Sequence, residues 1–164
     1  MRPTRRALLV APLFLAAPAA LRAQSSARLL VVGGGFGGAS AAAFARREYP
    51  WLEVTLVEPK TRFVTCPYGN LVLAGLRQIG EISHGYDGLR AKGVRVVHQW
   101  AAGIDPMARQ VRLQGGETLA YDRLILSPGI ALRWNAVEGY DEAAAEAMPH
   151  AWVPGEGAQT LLLR

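Results

Sequence analysis

Residues 28–38 read Arg-Leu-Leu-Val-Val-Gly-Gly-Gly-Phe-Gly-Gly, and this stretch decides the fold. Residues 27–32 are almost wholly apolar, the pattern of a parallel strand covered on both faces. The turn that follows holds Gly33, Gly35 and Gly38 at the spacing G-x-G-x-x-G. Residues 39–48 are alanine-rich and predict a helix, closed by Tyr49-Pro50. Glu53 to Val57 predicts a second strand, which makes a βαβ unit with a parallel, right-handed connection. In such a unit Gly33 permits the tight turn, Gly35 lets a pyrophosphate approach the backbone, and Gly38 lets the helix pack on the strand. The pyrophosphate belongs at the helix start, where free N–H groups and the dipole favour an anion. Glu58 ends the second strand twenty residues beyond Gly38, placed to accept hydrogen bonds from a ribose 2′-OH. An acid there also disfavours a 2′-phosphate.

Outward from this unit the signals are shorter. Residues 61–80 read as a loop with a short helix, and residues 83–92 as a helix weakened by Gly85 and Gly88. Residues 94–97 predict a third strand. Gln110 to Leu113 and residues 118–119, joined by Gly115-Gly116, predict a hairpin. Arg123 to Leu126 predicts another buried strand, leading into Ser127-Pro128-Gly129. The expected fold is α/β: a Rossmann-type domain with a parallel sheet and a β-hairpin insert, over residues 25–164. Residues 158–163 favour a helix with no closing residue after it, so the domain is expected to continue in a longer protein.

The formal charge of +5 does not mark a nucleic-acid surface. Arg2, Arg5, Arg6 and Arg22 lie before Gln24 in a stretch without acids, and removing them leaves 14 basic against 13 acidic residues. Residues 1–24 have the parts of an export signal: a basic start, an apolar run over 7–20 and small residues at Ala19, Ala20 and Ala23. The run is shorter than the roughly 20 residues of a membrane span. Thr4-Arg5-Arg6-Ala7-Leu8-Leu9 resembles a twin-arginine signal, with a plain secretory signal and an uncleaved anchor as alternatives. The expected location is the periplasm, with no membrane span after signal removal.

Cys66 is the lone cysteine, so in an oxidising compartment it is buried, paired with another chain, or chemically used. His84, His98 and His150 show no metal-ligand spacing and read as structural or surface residues. His84-Gly85-Tyr86-Asp87 is compatible with a proton relay that nothing demands. Trp51, Trp100, Trp134 and Trp152 read as packing residues. The chain has no Cys-x-x-Cys-His for haem attachment and no Gly-x-Ser-x-Gly elbow.

Several stretches then follow one another in a telling order: Thr65-Cys66-Pro67, Asn70-Leu71-Val72, Ile82 to Arg90, Gly103-Ile104-Asp105-Pro106, Tyr121-Asp122-Arg123, Ser127-Pro128-Gly129-Ile130, Glu138-Gly139-Tyr140 and Pro149-His150-Ala151-Trp152. In that order and spacing the chain resembles the flavoprotein subunit of flavocytochrome c sulfide dehydrogenases, within the two-dinucleotide-binding flavoproteins. The resemblance implies FAD, since in that superfamily the FAD domain comes first and a strand ending in a small-residue–Gly turn closes over the cofactor. Its usual form ends Ala-Thr-Gly, and Ser127-Pro128-Gly129 departs from it by removing an N–H. The cofactor-binding positions implied are Gly33, Gly35, Phe36, Gly37, Gly38, Glu58, Cys66, Ala102, Ser127, Pro128 and Gly129. Carried over, Cys66 would hold the flavin covalently by a thioether. The resemblance further implies sulfide as substrate, a c-type cytochrome subunit as partner, and a redox disulfide from cysteines beyond Arg164. No catalytic residue and no metal ligand is expected within these 164 residues.

Overall fold

The computed structural model describes residues 26–134 and 136–147. The leader, the Pro149-to-Trp152 stretch and the helix expected over 158–163 lie outside them. At the centre is a four-stranded parallel sheet of β1 (Arg28–Val32), β2 (Glu53–Val57), β5 (Arg95–Val97) and β9 (Arg123–Leu126), in the order β5-β2-β1-β9. Between β1 and β2 runs α1 (Phe36–Glu48). The βαβ unit thus stands where the periodicity puts it, with the helix beginning inside the glycine run.

Strand alternation sorts the core into two clusters, one on each face of the sheet. Leu29, Val31, Val54 and Leu56 pack with Ala42 and Ala45 of α1, with Tyr86 and with Val94. Leu30 and Val57 point the other way, to Val111, Leu113, Leu119 and Tyr121. That second cover is an antiparallel sheet of β6 (Ala101–Asp105), β7 (Gln110–Leu113) and β8 (Thr118–Ala120). The result is three layers: helix, parallel sheet, antiparallel sheet. Val31, Leu56 and Val57 are sealed from solvent, and each such side chain contributes about 1.5–3 kcal/mol of burial.

At the amino edge of the sheet Arg28 and Asp122 latch β1 to the approach of β9. The Asp122 carboxylate accepts from the Arg28 backbone N–H at 2.7 Å and from Nε and Nη2 at 3.1 Å each. The Asp122 N–H returns a bond to the Arg28 carbonyl at 2.9 Å. These bonds hold the Asp122 carboxyl well below its ordinary range, at about 2.

Five expectations need correction. The hairpin insert is a three-stranded sheet, because β6, weakened as a signal by Gly103 and by mostly exposed residues, pairs with β7 across a bulge between Ala101 and Gly103. Residues 83–92 are not one helix. Ser83–Gly85 is β4, paired antiparallel with β3 (Arg62–Val64), and only Asp87–Ala91 is helical, as α3. That pairing joins residues about 20 apart, from Val64 with Ser83 to Arg62 with Gly85, which local propensity cannot register. Residues 61–80 accordingly hold β3 besides the short helix α2 (Gly69–Leu73). β9 is an edge strand among the described residues, with Arg123 and Leu126 exposed, and is not buried on both faces. Trp51 and Trp100 are exposed and do not pack in the core; Trp51 meets the half-exposed ring of Tyr49, edge-on at 5.5 Å.

Candidate functional site

The register of the parallel sheet builds the site. Val32 stands beside Val57 and Leu126, and Val57 beside Val97. The four residues that follow these strand ends, Gly33, Glu58, Ser127 and His98, therefore arrive together at the carboxyl edge, where open α/β sheets bind their ligands. Three backbone bonds prolong the ladder past the strands: Gly33 N–H to Val57 O at 2.9 Å, Ser127 N–H to Val32 O at 2.8 Å, and Glu58 N–H to Val97 O at 3.0 Å.

The turn itself is shaped by what glycine lacks. Gly33 has φ +100°, and a Cβ there would lie 1.9 Å from the Ser127 carbonyl oxygen. A Cβ on Gly38 would lie 1.8 Å from the Gly33 carbonyl oxygen, so α1 packs against the turn with no room to spare. Gly35 differs. Its Cβ would meet only the Phe63 ring, at 3.5 Å, an ordinary contact. The protein itself does not need glycine at 35, and a pyrophosphate approaching the backbone does. Gly35 also caps α1 without any side-chain hydrogen bond, and the first turn carries no acid. The leading N–H groups of the helix are thus left for an anion.

Glu58 is held from several sides. Its Oε2 accepts from the Gly34 N–H at 2.7 Å and its Oε1 from the Lys60 N–H at 2.9 Å. A carboxylate has about four acceptor positions, so two stay open for a ligand hydroxyl. Tyr86, buried, donates its hydroxyl to the Gly34 carbonyl at 3.1 Å. Burial, and after it the charge of Glu58, pushes the Tyr86 phenol up to about 12, so at neutral pH it keeps its proton and donates. His98 Nδ1 lies 3.0 Å from the Glu58 carbonyl oxygen, and its Nε2 lies 2.8 Å from Nη2 of Arg90. A guanidinium cannot accept, so Nε2 accepts and the ring proton sits on Nδ1, directed at Glu58. Arg90 is in turn paired with Asp87 at 3.0 Å.

The remaining sequence-chosen positions are spread around this centre. Ser127 lies under the turn, its Oγ 2.8 Å from where a Gly37 Cβ would be. Pro128 and Gly129 follow it, exposed, with Gly129 at φ +88°. Phe36 is exposed and meets Phe63 of β3 edge-on, ring centroids 5.1 Å apart. Cys66 is exposed, in the bend between β3 and α2. It comes three residues after Phe63, a span of about 11 Å at most. Ala102 sits exposed at the bulge of β6, four residues beyond His98. The stretch from His84 to Asp87 does not act together: His84 is exposed on β4, Tyr86 turns inward to Gly34, and Asp87 pairs with Arg90. Sequence reading placed Tyr86 only in a possible relay and His98 only as a structural or surface residue, and joined neither to this site. The signal for His98 was available, since it follows a predicted strand as Gly33, Glu58 and Ser127 do.

Among the described residues no three His, Cys, Asp or Glu side chains could hold a metal, and no helix is long and apolar enough to cross a membrane.

Residues 27–151 match the family described as pyridine nucleotide-disulphide oxidoreductase. Over 45 residues, 27% of this chain and 94% of the relative, the sequence is 64% identical to the sulfide dehydrogenase [flavocytochrome c] flavoprotein chain of Chlorobaculum thiosulfatiphilum. Over 134 residues it is 29% identical to the mitochondrial sulfide:quinone oxidoreductase of Mus musculus, covering 82% of this chain and 30% of that one. The crystal structure of the sulfide:quinone oxidoreductase of Aquifex aeolicus superposes with a TM-score of 0.64 at 30% identity, over 67% of this chain and 26% of that one. The chain therefore spans about a third or less of the two sulfide:quinone oxidoreductases. A strand–glycine turn–helix with its acid at the next strand end, in a chain matched over 27–151, leads to one conclusion: the protein belongs to the pyridine nucleotide-disulphide oxidoreductase family, with the flavoprotein chain of a flavocytochrome c sulfide dehydrogenase among its relatives.

Proposed function

We propose that this chain supplies the FAD-binding domain of a flavoprotein that oxidises sulfide to sulfur or polysulfide and delivers the electrons to a c-type cytochrome subunit. The observation that carries the reading is the 64% identity to a flavocytochrome c sulfide dehydrogenase chain. The relatives named above differ in electron acceptor and agree on sulfide, which makes the substrate the firmer half of the proposal.

FAD, when bound, supplies an acceptor that takes electrons in pairs and gives them up singly. The chain's own residues do the holding. Gly33, Gly35 and Gly38, with Phe36 and Gly37 between them, present the start of α1 to the pyrophosphate. Glu58 takes the ribose hydroxyls on its two open acceptor positions. Ser127, Pro128 and Gly129 close the turn from the β9 side, and Ala102 borders the site from β6. Cys66 holds the flavin by a thioether, which keeps the cofactor attached after residues 1–24 direct the chain to the periplasm, where no FAD is available to replace it.

A second reading keeps the same domain and substrate and changes the acceptor to a quinone. Kinship with the mouse and Aquifex sulfide:quinone oxidoreductases favours it. One experiment separates the two. The complete gene product is treated with sulfide anaerobically and its flavin absorbance followed, then cytochrome c or a soluble quinone is added. Bleaching by sulfide with recovery on cytochrome c supports the proposal. Recovery on quinone alone replaces the acceptor, and flavin that sulfide does not bleach removes sulfide as the substrate.

A further inference from the structure

The group of side chains behind Glu58 carries an inference of its own, which rests on the FAD reading above. We propose that His98 and Tyr86 are positioning residues for the adenosine ribose of the dinucleotide. They hold Glu58 and Gly34 in the one arrangement that leaves the carboxylate's open acceptor positions facing the ligand.

The contacts form a closed ring. Gly34 N–H binds Glu58 Oε2 at 2.7 Å, the Glu58 carbonyl receives His98 Nδ1–H at 3.0 Å, the His98 and Tyr86 rings meet at 5.7 Å, and the Tyr86 hydroxyl returns to the Gly34 carbonyl at 3.1 Å. Both peptide groups flanking the Glu58 Cα are fixed, the N–H by Val97 and the carbonyl by His98. A glutamate has three side-chain torsions and loses much rotamer freedom when a ligand orders it. Here that ordering precedes the ligand, which is how preorganisation raises affinity.

The residue types suit the task. Imidazole can accept from Arg90 on one edge while donating to Glu58 on the other, and Arg90, paired with Asp87, fixes which edge does which. A phenol reaches Gly34 from a buried ring that also packs against the β1–β2 core. Neither residue needs to touch the ligand. Their effect would pass through Glu58, and so would appear only for a ligand that has the hydroxyl Glu58 binds.

The test uses that distinction. In the complete gene product carrying Cys66→Ala, so that binding is reversible, affinities of the apoprotein are measured for FAD and for its analogue lacking the adenosine 2′-hydroxyl. The parent is expected to favour FAD by about 10- to 100-fold, the worth of one hydrogen bond to a charged acceptor. His98→Ala and Tyr86→Phe should weaken FAD and leave the analogue nearly unchanged, so the preference shrinks to a few-fold. His98→Gln, whose amide can donate to Glu58 and accept from Arg90, should restore most of it. Variants that weaken both ligands equally, or neither, would overturn the inference. A parent that binds FAD without preference would overturn it too, and a parent that binds no FAD would overturn the cofactor reading itself.

Discussion

Substituting Gly38 by alanine sets two effects of opposite sign against each other. Gly38 lies inside α1, where alanine is the better helix former by about 1 kcal/mol. Against this, the new methyl would sit 1.8 Å from the Gly33 carbonyl oxygen and 3.2 Å from Val31 Cγ1. Carbon and oxygen come no closer than about 3.3 Å in even a favourable C–H···O contact, so the start of α1 must retreat by about 1.5 Å. The obstacle is backbone and cannot rotate away, which puts the cost at the upper end of overpacking, about 3 kcal/mol. The net loss is about 2 kcal/mol, a shift of about 1 M in a urea midpoint. Retreat also draws the leading N–H groups beyond hydrogen-bond reach of an anion, at about tenfold or more in affinity for each bond lost. Urea unfolding of the apoprotein and flavin titration measure the two losses separately. An unchanged or raised midpoint, with flavin binding intact, would refute the packing argument.

The other predictions divide between cofactor, base and acid. Gly35→Ala should cost the apoprotein at most about 1 kcal/mol, the difference between a tolerated and a poor N-cap, while flavin binding falls at least tenfold because the methyl occupies the pyrophosphate's approach; equal losses in both assays would contradict this. Alkaline unfolding should register Tyr86: with its phenol raised to about 12 in the fold and near 10 unfolded, its contribution is full below about pH 10 and lost as pH rises towards 12. Tyr86→Phe should remove that leg of the stability–pH curve. Asp122 works in the opposite sense, since its carboxyl is lowered to about 2 by the Arg28 hydrogen bond. Its support is present above the ordinary carboxylate range, near 4, and lost as pH falls towards 2. Both partners are partly exposed, so Asp122→Asn should cost little stability, a loss present above about pH 4 and vanishing as pH falls towards 2.

Much of this site was legible because it depends on position along short, strongly patterned segments. Gly33, Gly35, Gly38 and Glu58 follow from one strand, one turn and the end of the next strand. The parallel register then makes adjacency in space out of equivalent places in sequence, bringing in Ser127. What failed was non-local. The β3–β4 pair has three residues on each side and no alternating apolar pattern, so Ser83 to Gly85 looked helical. With that pair missed, there was no reason to see Tyr86 delivered beneath Gly34. β6 escaped for a similar reason, as its cover on β7 depends on a bulge and its own residues are mostly exposed. Cys66 likewise takes its place in the chain from β3, which ends two residues before it, while the chemistry assigned to it comes from family resemblance alone.

The flavin content of the complete gene product after acid denaturation tests the central claim most directly, with Cys66→Ala beside the parent. The parent should carry one FAD per chain, retained through denaturation as added mass and in-gel fluorescence, and the Cys66→Ala protein should release its flavin to acid. Flavin released from both would contradict the thioether at Cys66, and a gene product that neither carries FAD nor takes it up on addition would contradict the cofactor assignment on which the proposed function stands.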